Sequence, residues 1–422
     1  MHIEARRSNQ LGRPSNFLTL DATPDAAVIL VARGLRSFAD GFISVILPAY
    51  LTVLGLDALR IGAVSTATLA GSAALTLAVG LLAHRLRRRP LLLSASFLMA
   101  LTGLGFAFFH SFWPLVVVAF IGTLNPSSGD VSVFLPLEHA LLPQTIRDKM
   151  RTALFARYSL IGSLLGAVGS LVAGLPTLIS DRFSTGSLAA LQGMFIVYAA
   201  IGLLSLALYR RISPRVESSD GQPEAPLRES KGMVYTLAGL FSIDAFGGGL
   251  IVQSLLALWL FQRFHLSPAL AGTIFFWTGL LSAGSYLVAS RLADKFGLIN
   301  TMVFSHLPSN VMLLLVPFMP NLPLALLLLM GRSALSQMDV PTRSSYVMAV
   351  VTPAERPAAA GVTSVPRSLA SAAGPLLAGY MLGLSPFGWP LVLAGALKGA
   401  YDLLLLGMFA KVRPPEERGR QR

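Results

Sequence analysis

The chain has 422 residues, 54% of them hydrophobic and only 13% charged, with a net charge of +13 and no cysteine. Soluble domains carry about 25% charged residues, so a soluble globular fold is excluded, as are disulfide and thiolate chemistry. The basic surplus gathers in the segments between apolar runs, which argues against a nucleic-acid partner.

A polar segment, 1–26, precedes a first apolar run too long for the core of a signal peptide. Twelve runs then approach the roughly 20 residues a helix needs to cross the hydrocarbon core. They cover 27–53, 60–83, 90–110, 113–135, 152–176, 187–210, 233–261, 268–290, 299–318, 322–345, 358–383 and 389–410. Barrel strands would alternate polar and apolar residues, and these runs do not. The stretch 212–232 holds Ser-Pro, Asp-Gly and Pro-Glu-Ala-Pro breakers and divides six spans from six. The expected fold is an all-α membrane protein of twelve transmembrane helices. These form two pseudo-symmetric six-helix bundles, 27–211 and 233–410, joined by the linker 212–232 and followed by a tail, 411–422.

With alternate loops assigned to opposite sides, lysine and arginine crowd onto the side that carries both termini. Arg85 to Arg89, Arg147 to Arg151, Arg210 to Lys231 and the tail lie there, while the other side holds Arg60, Arg182 and Arg263. The positive-inside rule then puts both termini in the cytoplasm. Trp113, Trp259 and Trp389 fall at outer ends, where an aromatic belt belongs. Arginine far outnumbers lysine, a GC-rich bacterial signature that points to a multi-pass protein of a bacterial cytoplasmic (inner) membrane.

The halves repeat one another. Asp130-Val131 and Arg157 recur as Asp339-Val340 and Arg367, and the stretch from Gly80 to Arg85 falls opposite that from Ser290 to Lys295. Pro143 and Pro353, Gly62 and Gly272, and Tyr50 and Trp259 keep nearly the same spacing. Tandem duplication of a polytopic half marks transporters whose halves rock about a shared midplane site.

Charges inside the spans are the candidate functional groups, since each costs roughly 2.5–3.5 kcal/mol at a helix centre unless paired or wet. Arg36/Asp40, Asp339/Arg343 and Lys398/Asp402 are spaced to face one side of a helix. Asp130 with Arg157, and Asp339 and Arg343 with Arg367, sit near the cytoplasmic ends of returning hairpins and are assigned to a cytoplasmic gate; a static clamp is the alternative. Asp40 and Asp244 lie about twelve residues into the first and seventh spans, about 18 Å deep at 1.5 Å per residue. Back-projection across the repeat sets Asp244 opposite Arg36. Asp40, Arg36, Asp244 and Arg33 are therefore assigned to the proton-coupling site and substrate cavity. Gly162, Gly166, Gly169 and Gly174, and Gly374-Pro375 with Ala378-Gly379, are small-residue faces for close helix packing. Gly247 to Gly249 offer a place to unwind the seventh span, and Trp277, Phe275 and Phe276 a cavity wall. His306 reads as a satisfied polar residue. The sequence has no Walker loop or metal-ligand cluster, so no cofactor or metal is expected beyond an ion gradient, namely protons.

The stretch Ser290-Arg-Leu-Ala-Asp294-Lys295-Phe-Gly297 resembles the signature loop of the major facilitator superfamily. The resemblance spans essentially the whole chain and implies that Asp294 engages the other half and stabilises an outward-open state. The first copy keeps Gly80 and Arg85 but has His84 in place of the acid and Arg87 in place of the later glycine, which weakens that lock. Ser336 to Arg343 with Glu355-Arg356, Ala360-Gly361 and Gly374-Pro375 resembles an efflux-type bacterial and organellar branch. The glycines of the fifth span match the antiporter marker only in part, because the Gly-Pro lies on the eleventh. The resemblance implies a secondary active transporter, not an enzyme, exporting a small organic solute through the lipid bilayer with protons, as a monomer. Six internal arginines motivate an organic-anion or phosphorylated-metabolite carrier as the alternative. A non-transporting membrane receptor or assembly protein on the same fold is the rival from another class.

Overall fold

The computed structural model describes residues 23–82, 87–127, 132–145, 151–213, 227–352 and 355–409. The sixteen α-helices among these residues make up the twelve spans because several spans are broken. The N-terminal half holds α1 (Pro24–Val53), α2 (Ala58–Leu82), α3 (Arg88–Phe108), α4 (Phe112–Ile121), α5 (Phe134–Leu141), α6 (Arg151–Val172), α7 (Leu175–Phe183) and α8 (Ser187–Tyr209). The C-terminal half holds α9 (Lys231–Leu250), α10 (Gln253–Phe264), α11 (Pro268–Phe296), α12 (Leu298–Leu315), α13 (Leu322–Leu335), α14 (Asp339–Val350), α15 (Arg356–Leu384) and α16 (Trp389–Phe409). Eight helices among the described residues are long and apolar enough to cross a membrane by themselves. The chain is a multi-pass membrane protein.

Local chemistry sets the starts. Thr23 caps α1 by accepting from the Ala26 amide at 3.4 Å, with Pro24 at the first helical position. Ser267 and Asn321 cap α11 and α13 in the same way, each followed within two residues by proline. Such caps satisfy the orphan amides of a first turn, where proline's missing N–H costs nothing. Gly297, at φ 84°, separates α11 from α12, a backbone region that favours glycine.

One end of the molecule gathers the start of α1, the end of α8 and the starts of α9 and α15. There the Ser213 amide donates to Asp25 at 2.9 Å and Arg89 donates to the Arg210 carbonyl at 2.6 Å. We term it the linker end. The closest backbone approaches between the halves lie toward the opposite, far end. A Cβ on Gly62 of α2 would stand 2.4 Å from the Pro375 carbonyl oxygen and 2.9 Å from Gly379 Cα on α15. A Cβ on Gly272 of α11 would stand 2.2 Å from the Ser170 carbonyl oxygen of α6. Within the N-terminal half, α1 and α6 cross so closely that a Cβ on Gly41 would fall 2.1 Å from the Gly166 oxygen. The small-residue stripes on the fifth and eleventh spans are the surfaces of these crossings, as helix association in lipid demands.

Two expectations need correction. Trp113 and Trp389 are 73% and 49% exposed at the far end, but Trp259 is 0% exposed. Its indole packs against Gly388, at φ 105°, where an added Cβ would fall 2.6 Å from Nε1, so it is core and not belt. The fourth span is not continuous over 113–135. Its helix stops at Ile121, the Gly122 amide makes the last helical bond to the Val118 carbonyl at 2.9 Å, and Thr123 to Ser127 lie outside any helix.

Candidate functional site

Non-helical backbone inside a bilayer persists only where its polar groups find partners, and at the break in the fourth span they do. The Thr123 carbonyl accepts from Tyr198 at 3.1 Å. Asn125 accepts from the Ser127 amide at 3.1 Å and donates weakly to Asp40 at 3.5 Å. The Pro126 carbonyl accepts from the Ser254 amide at 3.0 Å, across the boundary between the halves. Ser254 opens α10 just beyond a second break, at Ile251 and Val252, which follows Gly247 to Gly249. Two interrupted helices therefore meet at mid-depth, with half-buried Asp40 beside them.

In the N-terminal half a buried cluster forms around Glu138 of α5, which is 0% exposed. Arg36 of α1 reaches Glu138 at 2.5 Å. The hydroxyls of Tyr158 on α6 and Tyr209 on α8 each donate to it at 2.6 Å, and Arg36 also contacts the Tyr209 hydroxyl. The Arg36 guanidinium lies over Phe134, 4.1 Å from the ring centroid, and that of Arg33 lies over Tyr158 at 4.9 Å. Gly162 makes room for Arg33, because a Cβ there would stand 2.6 Å from its Nε. Glu138 escaped the sequence reading because it lies just beyond the assigned end of the fourth span. The signal was present in Phe134-Leu-Pro-Leu-Glu138-His-Ala-Leu-Leu142, an apolar run continuing around a lone acid.

In the C-terminal half the centre is Asp244 of α9. Lys398 of α16 bonds it at 2.6 Å, Arg343 of α14 at 3.0 Å, and His306 of α12 stands 3.8 Å away. Arg343 also pairs with Asp339 at 3.2 Å. His306 Nδ1 lies 2.9 Å from Asp402, which accepts from Asn310 at 2.8 Å. His306 is thus the hinge between two acids on α9 and α16.

These distances revise the expected pairings. Asp244 and Arg36 do not face one another, since each is buried in the cluster of its own half. Arg36 has its ion pair with Glu138, another helix's acid, where spacing had suggested Asp40. Lys398 and Asp402 form no local pair: Lys398 turns to α9 and Asp402 to α12. Asp339 bonds Arg343 instead of Arg367. The tenth-span residues assigned to the gate and the acid assigned to coupling therefore belong to a single cluster. Arg157 is buried on α6, whereas Asp130, His84 and Arg85 lie outside the described residues. Gly80 is the third residue from the end of α2, and Asp294 and Lys295 lie in the last turn of α11 before Gly297. The Lys295 ammonium sits 5.2 Å from the Phe296 ring centroid; the Asp294 side chain is outside the description. Among the described residues no group of three or more His, Cys, Asp or Glu residues is placed to hold a metal.

Outside the membrane interior, Glu355 precedes α15 and binds the end of the linker. It accepts from the amides of Arg228 at 2.6 Å, Glu229 at 3.0 Å and Ser230 at 3.2 Å. Bonds from the Arg228 amide and then from Ser230 hold its carboxyl down at about 2.

The family model described as the Major Facilitator Superfamily matches residues 29–243 and 237–422. An uncharacterized membrane protein of Saccharomyces cerevisiae is 24% identical over 427 aligned residues, 93% of this chain and 95% of its own. Among solved structures, the nucleoside transporter NupG superimposes with a TM-score of 0.67 at 15% identity, covering 91% of this chain and 98% of that one. The human organic anion transporter MFSD10 gives 0.63 at 19% identity, covering 90% and 99%.

Proposed function

From a chain that belongs to the major facilitator superfamily, we propose a proton-coupled secondary transporter that exports a small organic solute by alternating access. The observation that carries this reading is the seam between the halves. Its closest contacts are made by glycines and small residues toward the far end, while the buried charge clusters lie within each half, away from those contacts. We take this arrangement as the state open toward the linker end. Rocking would part Gly62 from Gly379 and Gly272 from Ser170 and bring the linker ends together. Transport in this superfamily is mechanical and electrostatic; no enzyme chemistry is involved.

The coupling proton is assigned to the Asp244 cluster. A carboxylate beside cations releases its proton far more readily than one left in an apolar cavity. Loosening Lys398 or Arg343 during the cycle would change what Asp244 holds, and His306 and Asp402 extend the path to α16. Asp40, half-buried beside two broken helices, is placed as a cavity acid. Export and an efflux-type branch rest on the resemblance of the Ser336 to Arg343 stretch. The basic distribution supports cytoplasmic termini, and the arginine-rich composition supports a bacterial inner membrane. A monomer suffices, because both bundles lie in one chain. The carrier of organic anions is the second reading, favoured by Arg332 and Arg367 inside the C-terminal half.

The test uses the absence of cysteine from the chain. An added Cβ on Gly383 would lie 4.0 Å from Ala58 Cβ across the seam, within disulfide range. In proteoliposomes with an imposed pH gradient, the Ala58→Cys, Gly383→Cys protein should lose flux when oxidised and regain it on reduction, and Asp244→Asn should uncouple flux from the gradient. Full flux through the oxidised protein would exclude alternating access at this seam. Gradient-driven flux unchanged in Asp244→Asn would exclude the assigned proton site.

A further inference from the structure

The interior of the C-terminal half holds more positive than negative charge. Arg343 and Lys398 are matched to Asp244 and Asp339, and Asp402 is occupied by His306 and Asn310. Two cations remain, Arg332 of α13 and Arg367 of α15. Neither forms an ion pair or side-chain hydrogen bond among the described residues, and Arg332 Nε is a buried donor without an acceptor.

Their positions converge. α9 and α15 both run from the linker end toward the far end, and Gly249 of α9 packs on Ser371 and Gly374 of α15. Five residues back along α9 is Asp244, and one turn back from Ser371, on the same face of α15, is Arg367. The two therefore lie at one depth, and Asp244 and Arg343 are among the charges that act on Arg367. Arg332 lies in the last turn of α13, just before the break at Ser336 to Met338, and Asp244 is the charge that acts on it too. Arg367 is exposed although it sits roughly 16 Å along its helix from the linker end, at 1.5 Å per residue. An exposed guanidinium at that depth needs water or a counter-ion.

We propose that Arg332 and Arg367 form the binding site for an oxyanion, a carboxylate or a phosphate carried by the transported solute. The proposal rests on the transport reading and names its substrate class. Two planar guanidiniums offer paired N–H donors that match such groups in bidentate geometry. Asp244, already neutralised by Lys398 and Arg343, sets the polarity of the site without repelling the ligand. A bound anion cancels the surplus charge of this half. A lipid headgroup carries the same phosphate chemistry, so the experiment must separate the two sources.

The full-length protein in phosphatidylcholine nanodiscs is titrated at fixed ionic strength with phenyl phosphate, benzoate and uncharged benzamide, with thermal unfolding as the readout. Stabilisation grows with ligand concentration over Kd. Phenyl phosphate or benzoate should raise Tm and benzamide should not. Arg367→Gln and Arg332→Gln should each weaken binding at least tenfold, while Arg367→Lys keeps part of it. Discs containing phosphatidylglycerol identify the source: probe binding suppressed there assigns the site to a headgroup, and unchanged binding assigns it to a soluble anion. The proposal is overturned if neither anion shifts Tm, if benzamide shifts it equally, or if the shift survives both glutamine substitutions. Binding without flux of any compound would instead count against the transport reading, and flux of neutral solutes without anion binding would count against this site alone.

Discussion

Replacing Glu138 by alanine isolates the electrostatics of the N-terminal half. Arg36 is 4% exposed and Glu138 0%, so the substitution leaves a guanidinium in a dry interior with aromatic rings and a tyrosine hydroxyl for company. Breaking a buried ion pair from one side costs about 3–5 kcal/mol. The Tyr158 and Tyr209 hydroxyls lose their acceptor as well, at about 1 kcal/mol each. The single variant should therefore lose about 5–7 kcal/mol, a large share of the roughly 5–15 kcal/mol by which native proteins are stable. The double variant Arg36→Met, Glu138→Met removes both charges and fills the space, and such replacements are often neutral or stabilising. It should recover most of the loss, leaving the tyrosines to account for what remains. Unfolding of detergent-solubilised protein, run as a double-mutant cycle, measures the coupling. If Glu138→Ala costs less than about 1 kcal/mol, or the double variant is no more stable than the single, then Arg36 is not balanced by Glu138 and the cluster has been misassigned. A double variant that folds but carries no flux would show that the pair serves the cycle as well as the fold.

Gly62→Val sets a branched side chain against the backbone of Pro375 and Gly379, which cannot yield; the yield of the Ala58→Cys, Gly383→Cys crosslink should fall severalfold, and an unchanged yield would show that this contact does not close the far end. Glu355→Gln removes the negative charge and one of the two oxygens that accept from the amides of Arg228 to Ser230. Because the folded carboxyl sits at about 2, below its ordinary 4.5, its contribution is present above about pH 4.5 and lost as pH falls toward 2. Wild type should exceed Glu355→Gln in Tm at pH 7, with the gap shrinking below pH 4.5; a gap that grows with acid would reverse the assignment.

The spans were legible because each is an apolar run of membrane length, and helices need only that to be recognised. Breaks were legible where glycine announced them: Gly247 to Gly249 precede the interruption at Ile251. The break after Ile121 was not foreseen, although Asn125-Pro126 stands inside it, because the apolar run continues through both sides. Partners were the weakest part. Spacing along one helix favoured Asp40 for Arg36 and Asp402 for Lys398, yet both cations bond acids on other helices. Which helices meet, and at what rotation, is decided by glycine contacts such as Gly41 on Gly166 and Gly249 on Ser371. Those contacts fix rotation to within a residue, a precision that hydropathy does not carry. His306 read as an ordinary polar residue for the same reason, since its meaning depends on α9 and α16 arriving on either side of it.

Both halves tie their first span to their fourth by a buried ion pair, with the signs exchanged. The first span supplies a cation, Arg36, to an acid on the fourth, Glu138; the seventh supplies an acid, Asp244, to a cation on the tenth, Arg343. Each pair joins corresponding spans of its own half, so the described ion pairs that hold the interior together do not cross the seam. Two bundles that settle most of their charge internally can part without breaking a buried pair, which would cost about 3–5 kcal/mol each time. What must separate at the far end is glycine, alanine and serine packed on backbone, a contact of dispersion and a few hydrogen bonds that another surface can replace at similar energy. A switch built on Arg36 meeting Asp244 would have loaded each cycle with that electrostatic cost. Coupling to protons must then work inside a bundle, and in the C-terminal half a described chain of titratable groups runs from Asp244 of α9 through His306 of α12 to Asp402 of α16. Movement of α16 relative to α9 and α12 would stretch the Asp402–His306 contact at 2.9 Å and the Lys398–Asp244 bond at 2.6 Å, which makes the tilt of α16 the variable through which a proton in this half would be felt at the seam.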